Sequence, residues 1–140
     1  MTDPHAPLAG ACYCRAVTYK VADAFEYAFI CHCSDCQRTT GSAFKPFAGI
    51  AEHHLSLTSG HEALEKFGDE ANHNAFCGKC GSLLYSVVRG GTYVHVTLGT
   101  LLEPPARTPS AHIFVRSKAP WHVIGDALPQ FEQFPPTVSK

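Results

Sequence analysis

The cysteines have the clearest capacity for chemistry in this sequence of 140 residues. The chain contains seven of them, in three close groups: Cys12 and Cys14; Cys31, Cys33 and Cys36; Cys77 and Cys80. Thiols at such short spacings in a small protein are typical of metal sites. Because two closed four-sulfur sites would need one cysteine more, the count predicts one closed site and one site with an open coordination position.

The outer groups have spacings that suit a shared ion. Residues two apart on a strand point to the same side, so Cys12 and Cys14 can bind one ion if residues 11–15 are extended. The Cys-x-x-Cys-Gly pattern that begins at Cys77 predicts a tight turn, with backbone amides donating to the first sulfur and a left-handed glycine at the end. Redox exchange between Cys77 and Cys80 is an alternative function for this pair. A redox pair is typically found next to a βαβ pattern, which the sequence lacks.

Three sulfurs fall within six positions in the middle group. The Cys-x-Cys-x-x-Cys spacing that begins at Cys31 lets one short segment surround an ion and leave its fourth corner free. The natural division assigns the four outer cysteines to the closed site and the three middle ones to the open site. A different division stays open at this point, since Cys33 and Cys36 could join Cys77 and Cys80 in a zinc ribbon that leaves the other cysteines unused.

Short strand patterns dominate the rest of the chain. Apolar alternation and turn signals predict strands at 16–21, 25–30, 43–50, 55–58, 63–67, 83–88, 93–98 and 112–115. One helix is expected at 34–40, with Ser34 as its cap and Gly41 at its end. The sequence therefore predicts an all-β, mainly antiparallel fold with little helix. With 45% apolar residues, we expect a single domain over residues 1–140, with a core at about 8–134 and a tail at 135–140.

Charge and hydropathy argue against several classes of function. The net charge is −1, and eleven basic residues are scattered among twelve acidic ones, which leaves no basic surface for nucleic acid. No apolar run approaches the roughly 18 residues of a membrane helix. Residues 1–10 lack the pattern of a secretory signal, so we expect a cytoplasmic protein whose thiols stay reduced or bind metal. The sequence does not indicate an oligomeric state.

The stretches that contain the cysteines resemble one known family. They are GACYC at 10–14, CHCSDCQR at 31–38 and FCGKCGS at 76–82, and PWH at 120–122 adds to the likeness. Over residues 8–134 the chain resembles the glutathione-dependent formaldehyde-activating enzymes, a family also called the centromere protein V domain. Relatives associated with chromatin are expected to carry additional basic sequence, which this chain lacks.

This resemblance implies a β-tent fold, two zinc ions and carbon-sulfur lyase activity. It implies that the partners are glutathione or a related thiol and formaldehyde or another small aldehyde. By motif match, the structural zinc ligands are Cys12, Cys14, Cys77 and Cys80, and the catalytic zinc ligands are Cys31, Cys33 and Cys36. All seven positions of the pattern are filled.

A three-cysteine site is suited to thiol chemistry. Three thiolates on a divalent ion leave a net charge of −1, which weakens Lewis acidity but suits the binding of an incoming thiol as thiolate. We therefore expect a glutathione sulfur at the open position to attack an aldehyde carbon, or the reverse reaction to release aldehyde and thiol. The alternative is a noncatalytic zinc-binding module for protein interaction.

Several residues near the cysteines are candidates for smaller roles. Arg38 is a candidate contact for a carboxylate of the thiol substrate, whereas Lys79 is expected to be exposed in its turn. Asp35 is expected to stabilise the start of the helix by its interaction with the helix dipole, rather than to relay a proton. Trp121 and Phe44 are candidate walls of a substrate pocket, although packing is the simpler role for large aromatic residues.

The histidines do not show a ligand pattern. His32 alternates with two cysteines, so on an extended segment its side chain faces away from their ion, which favours packing or a contact to a ligand over coordination. The remaining histidines have no ligand spacing among themselves, and none is assigned to a metal; they include His53, His54, His95 and His122.

Overall fold

The computed structural model describes residues 6–136, which form ten β-strands and one α-helix. The strands are β1 (Leu8–Ala11), β2 (Thr18–Val21), β3 (Tyr27–Cys31), β4 (Lys45–Ala51), β5 (Leu55–Ser59), β6 (Leu64–Gly68), β7 (His73–Cys77), β8 (Leu83–Val88), β9 (Tyr93–Thr97) and β10 (His112–Ile113). The helix α1 (Ser34–Thr40) follows β3, and short 3-10 turns lie at Glu52–His54, Leu98–Thr100 and Val115–Ser117. The predicted all-β fold is confirmed.

The strands form two sheets with mainly antiparallel pairing. The small sheet has the order β1-β2-β5, and the large sheet has the order β10-β3-β4-β9-β8-β7-β6. Among the strand pairs of residues 6–136, only β10 and β3 run parallel, with His112 opposite Ile30. The structure adds β1 and β7 to the strands that the sequence pattern predicts.

The main core lies between the two sheets. Tyr19 and Val21 of β2 belong to the same buried cluster as Ala48 of β4 and Val94 of β9. Because neighbouring residues of a strand point to opposite faces, Phe47 next to Ala48 lies on the other face of the large sheet. A second, smaller buried cluster occupies that face; it contains Phe29, Cys31, Phe47, Ala111 and Ile113. The open group of cysteines is built beside this second cluster.

The segment at 129–134 is bound to the edge of the large sheet. His112 N donates to Pro129 O at 2.9 Å, and Phe131 N donates back to His112 O at 2.9 Å. Phe134 packs against the second buried cluster. The polar edge of β10 is therefore paired, and an aromatic ring is brought to the sheet face that carries the open cysteine group. Residues 137–140 of the predicted tail lie outside the described residues.

Helix α1 has the predicted bounds but a different cap. The cap is Cys33, whose Sγ accepts a hydrogen bond from Cys36 N at 3.3 Å, so the prediction of Ser34 was wrong. The sulfur can take this role because Cys33 and Cys36 already face each other in the same sulfur group. Gly41 ends the helix with φ 62°, as predicted. Within residues 6–136, no helix has the length and hydropathy that a membrane crossing requires.

Candidate metal centres and the adjoining cavity

The closed group brings four sulfurs from two distant parts of the chain together. The Sγ atoms of Cys12, Cys14, Cys77 and Cys80 all lie within 4.8 Å of one another. The sulfur of Cys14 lies 3.7 Å from that of Cys12 and 3.7 Å from that of Cys77. Four sulfurs at this separation match the donor set of a tetrahedral structural zinc site.

The first half of this group is a turn and not a strand, so Cys12 and Cys14 meet without the extended conformation that was considered for residues 11–15. Strand β1 ends before Cys12, and Arg15 N donates to Cys12 O at 3.1 Å to close the turn. Arg15 has φ 65°, which reverses the chain. The reversal lets Val17 N donate to Cys12 Sγ at 3.3 Å.

The second half of this group is the tight turn that the sequence predicts. Lys79 N and Cys80 N donate to Cys77 Sγ at 3.3 Å and 3.5 Å, which disperses the charge of a thiolate. Gly81 has φ 82°, the left-handed conformation expected at the end of the turn. The side chain of Ser82 adds a contact at 3.3 Å from Cys80 Sγ.

The open group is made by the end of β3 and the start of α1. Cys31 is the last residue of β3, Cys33 caps the helix, and Cys36 lies in its first turn. Their three sulfurs lie within 4.8 Å of one another, and no other cysteine, histidine or carboxylate of residues 6–136 joins the group. The zinc-ribbon alternative was wrong, because Cys33 and Cys36 group with Cys31 rather than with Cys77 and Cys80.

The electrostatics of the open group fit a divalent cation. Hydrogen bonds from the Cys31 and Cys36 thiols lower the pKa of Cys33 to about 2, while interactions with Cys31 and then Cys33 raise the pKa of Cys36. Repulsion between neighbouring thiolates therefore opposes the ionisation of all three thiols together. A soft divalent ion would balance the repulsion and bind all three sulfurs, which is the chemistry of a zinc site with three protein ligands.

A cavity of about 480 Å³ adjoins the open group. Its size falls within the range of small-molecule sites in proteins. All three cysteines form part of its wall, together with aromatic residues and several polar ones; these include Tyr27, Phe29, Phe47, Phe114, Phe134, Asp35, Asn74, Ser86, Arg89 and His95. The cavity therefore combines a corner of three cysteines that could hold a metal ion, aromatic walls and a few polar groups.

Lys45 is the buried cation of this cavity. It lies directly across from Cys31 in the pairing of β3 with β4, and its exposed fraction is 5%. Its Nζ donates to Ser86 Oγ at 2.8 Å, and Ser86 Oγ donates to Asn74 Oδ1 at 2.6 Å. Burial lowers the pKa of Lys45, while negative charge on the three sulfurs acts in the opposite direction.

Arg89 and aromatic residues shape another part of the cavity. The guanidinium lies 4.5 Å from the ring centre of Tyr93 and 5.3 Å from that of Tyr27. Tyr27 Oη lies 2.8 Å from His95 Nε2, and the His95 ring stacks on Phe47 with centroids 4.3 Å apart. Burial lowers the pKa of His95 to about 3, with the charges of Lys45 and Arg89 acting in the same direction. The imidazole is therefore neutral.

His32 packs away from the sulfurs, as predicted. Its side chain is fully buried, and its Nε2 lies 2.8 Å from His112 Nδ1. His112 Nε2 lies 3.0 Å from both carboxylate oxygens of Asp126. The two rings share one hydrogen bond, in which one ring nitrogen donates and the other accepts. The orientation of the segment between two cysteines is thereby linked to the loop that carries Asp126.

Among the remaining candidates, Asp35 lines the cavity, whereas the others lie outside its wall. Arg38 is 76% exposed on α1 and pairs with Asp35 at 3.6 Å, and it is not part of the cavity wall. Lys79 is exposed, as expected. Trp121 is 71% exposed, whereas the ring of Phe44 packs against that of His32. Neither aromatic residue lines the cavity.

Sequence reasoning missed three polar residues of the cavity, which are Lys45, Asn74 and Ser86. Lys45 carries a local signal, because it is a single cation inside the apolar strand segment 43–50. Ser86 and Asn74 carry none, since serine and asparagine are common on strands and turns. Their importance follows from β7 and β8 lying side by side, where the two residues are directly paired.

Comparison with known proteins identifies a family whose model matches the segments that carry both cysteine groups. The family described as glutathione-dependent formaldehyde-activating enzyme matches residues 7–117. A solved structure of a Rhodobacter sphaeroides protein from a structural genomics programme is similar, with 27% sequence identity and a TM-score of 0.58; the match covers 71% of this chain and 92% of that chain. No curated protein gives a significant match. The family match covers most of the chain, and the chain belongs to the family of glutathione-dependent formaldehyde-activating enzymes.

Proposed function

We propose that the protein is a zinc-dependent carbon-sulfur lyase that acts on adducts of glutathione, or a related thiol, with formaldehyde or another small aldehyde. The observation that carries the proposal is the position of the open sulfur group in the wall of a cavity of about 480 Å³. A metal site that served structure alone would not need three ligands facing a space large enough for a small molecule. Family membership supports the same class of reaction.

Two zinc ions per chain are part of this proposal. The four-cysteine group would hold the structural ion, and Cys31, Cys33 and Cys36 would hold the other. Zinc in the three-cysteine group would supply an open position at which a substrate sulfur is held as a nucleophilic thiolate. The neighbouring aromatic walls would keep water away from the reacting carbon.

The charges of the cavity support a glutathione-like thiol. Glutathione carries two carboxylates and one ammonium group at neutral pH. The cavity wall contains two cations, Lys45 and Arg89, and one carboxylate, Asp35. Arg38 lies outside the cavity on the exposed side of α1, and it remains our prediction for a contact to a part of the thiol that extends into solvent.

The reaction requires the making or breaking of one bond. In the direction of synthesis, the sulfur electron pair attacks the aldehyde carbon, the carbonyl electron pair moves to oxygen, and the oxygen takes up one proton. The thiol has released one proton before the attack, so the addition gives a hemithioacetal without net gain or loss of protons. In the opposite direction, the carbon-sulfur bond breaks and the thiol and the aldehyde leave.

Turnover by the zinc-loaded protein tests the proposal. Exchange between free glutathione, formaldehyde and their adduct is followed by proton exchange spectroscopy, and a panel of other thiols and small aldehydes is measured in the same way. We expect acceleration over the uncatalysed exchange and its loss in Cys36→Ser. Ser34→Ala, an exposed change in the same helical turn, is the matched control. A protein with two zinc ions that accelerates none of these exchanges would contradict the proposal and favour a protein-interaction module.

A further inference from the structure

Lys45 places a buried positive charge next to the open sulfur group. Its Cα is paired with that of Cys31 across β3 and β4, and both residues line the same cavity. Burying an ammonium group is costly unless its hydrogen bonds and charge are compensated. Lys45 is only 5% exposed and lies beside three sulfurs. Its ammonium group is therefore expected either to bind a ligand in the cavity or to neutralise the charge of the sulfurs.

The direction of the Lys45 ammonium is fixed by two other strands. Ser86 of β8 accepts from Nζ and passes its own hydrogen bond to Asn74 of β7. An ammonium group has three N–H donors, and Ser86 is its one hydrogen-bond acceptor among residues 6–136. Two donors of a buried cation are thus left without a described protein acceptor, in the wall of a cavity.

We propose that Lys45 is a catalytic residue that binds the substrate oxygen, and that Ser86 and Asn74 position it. This inference rests on the proposed lyase function. As the carbon-sulfur bond forms, the carbonyl electron pair moves to oxygen, and the free N–H donors of Lys45 hydrogen-bond to that oxygen while its negative charge develops. The oxygen then takes one proton from solvent, which replaces the proton that the thiol released. In cleavage, the same donors stabilise the oxygen before the carbon-sulfur bond breaks.

A competing role for Lys45 is simple neutralisation of the sulfur charges. That role predicts weaker zinc binding when the cation is removed, and an equal loss of affinity for every ligand of the cavity. Binding of the substrate oxygen predicts a selective loss for ligands that carry a negative oxygen beyond the sulfur. The two roles can therefore be separated by binding measurements that do not depend on turnover.

The test compares two stable glutathione thioethers of almost identical shape. S-carboxymethylglutathione carries an anionic carboxylate attached to the carbon that is bonded to sulfur, and S-carbamidomethylglutathione carries a neutral amide in its place. Both are titrated by calorimetry into zinc-loaded wild type, Lys45→Met and Lys66→Met. Lys66→Met is the matched control, since it removes the same charge from an exposed position on β6.

We expect wild type and Lys66→Met to prefer the anionic ligand about tenfold, and Lys45→Met to lose that preference. Turnover of Lys45→Met should fall about 100-fold in kcat, the size seen when a donor to a developing oxyanion is removed. A preference that survives in Lys45→Met overturns the proposal. So does an equal weakening of both ligands that accompanies zinc loss.

Ser86→Ala keeps the test decisive if Lys45→Met does not fold. This variant retains the cation but removes its anchor, so we expect kcat to fall about tenfold with little change in KM and with zinc content unchanged. An unchanged kcat in Ser86→Ala would overturn the proposal. If wild type neither binds the thioethers nor accelerates exchange, the lyase function itself fails and the role of Lys45 fails with it. If only the proposed role of Lys45 is wrong, the wild-type protein still accelerates exchange.

Discussion

His32 Nε2 lies 2.8 Å from His112 Nδ1, where β10 runs beside the segment that carries the open sulfur group. His112 is buried, whereas its other partner Asp126 is half exposed. Replacing His112 by alanine should leave the buried Nε2 of His32 without its hydrogen-bond partner and lower the free energy of unfolding by about 2 kcal/mol. Asp126→Ala should lower it by less than about 1 kcal/mol, since water can replace the carboxylate. Urea unfolding of both zinc-loaded variants measures the two losses of stability. Equal losses in the two variants would contradict the buried contact between His32 and His112 as the main contribution.

The two sulfur groups should respond differently to a single Cys→Ser change. Cys36→Ser should release one zinc ion per chain and leave the sheets folded, because Cys36 lies in a short, partly exposed helix. Cys77→Ser should prevent folding, since the closed group joins β7 to the turn at 12–14 and structural zinc binding contributes about 10 kcal/mol. Zinc content by mass spectrometry and far-ultraviolet circular dichroism test both outcomes. A folded Cys77→Ser protein would show that the closed group is dispensable.

Gly60 and Gly41 should differ in their tolerance of a methyl group. Both have positive φ, at 85° and 62°. A Cβ at Gly60 would lie 2.1 Å from the backbone oxygen of Ala16, whereas at Gly41 nothing lies within 4 Å. Gly41→Ala should therefore cost about 1 kcal/mol from backbone strain, and Gly60→Ala should cost about 3 kcal/mol or more because backbone must move. Thermal and urea unfolding measure the loss of stability in each variant. Equal losses would show that the close contact at Gly60 adds nothing to the backbone strain.

His95 should make the folded protein less stable in mild acid. Its pKa is lowered to about 3 in the folded protein, against an ordinary value of 6.5. Below pH 6.5 the unfolded chain binds a proton that the folded protein does not, so the free energy of unfolding falls as pH decreases from 6.5 towards 3. The slope from this one group is at most about 1.4 kcal/mol per pH unit.

The matched variant for this prediction is His95→Gln, which cannot titrate but keeps a polar group near Tyr27. Acid also displaces zinc from thiolates, so wild type and variant will both lose stability. The contribution of His95 is the difference between their pH profiles, measured by urea unfolding from pH 7 to pH 4.5. Parallel profiles would mean that the imidazole is not kept neutral by burial.

Strands with strong local patterns were predictable, and weak ones were not. The alternation of Val17, Tyr19 and Val21 identifies β2 directly. Strand β1, with the sequence Leu-Ala-Gly-Ala, contains small residues of low strand propensity. It forms because its backbone pairs with β2, and its Gly10 leaves room for the ring of Tyr19. Strand β7 likewise depends on the pairing with β6 and β8.

The sequence by itself determined the three cysteine segments and the fold class. Ligand spacing within each cysteine segment is local, so it can be read without knowing how distant segments meet. Tertiary structure decided that Lys45 and Ser86, 41 positions apart, meet at 2.8 Å. It also divided the seven cysteines into a group of four and a group of three, and it made the segment of Cys12 and Cys14 a turn. The physical reason is that burial, hydrogen bonding and charge in the cavity arise only when strands from different parts of the chain lie side by side.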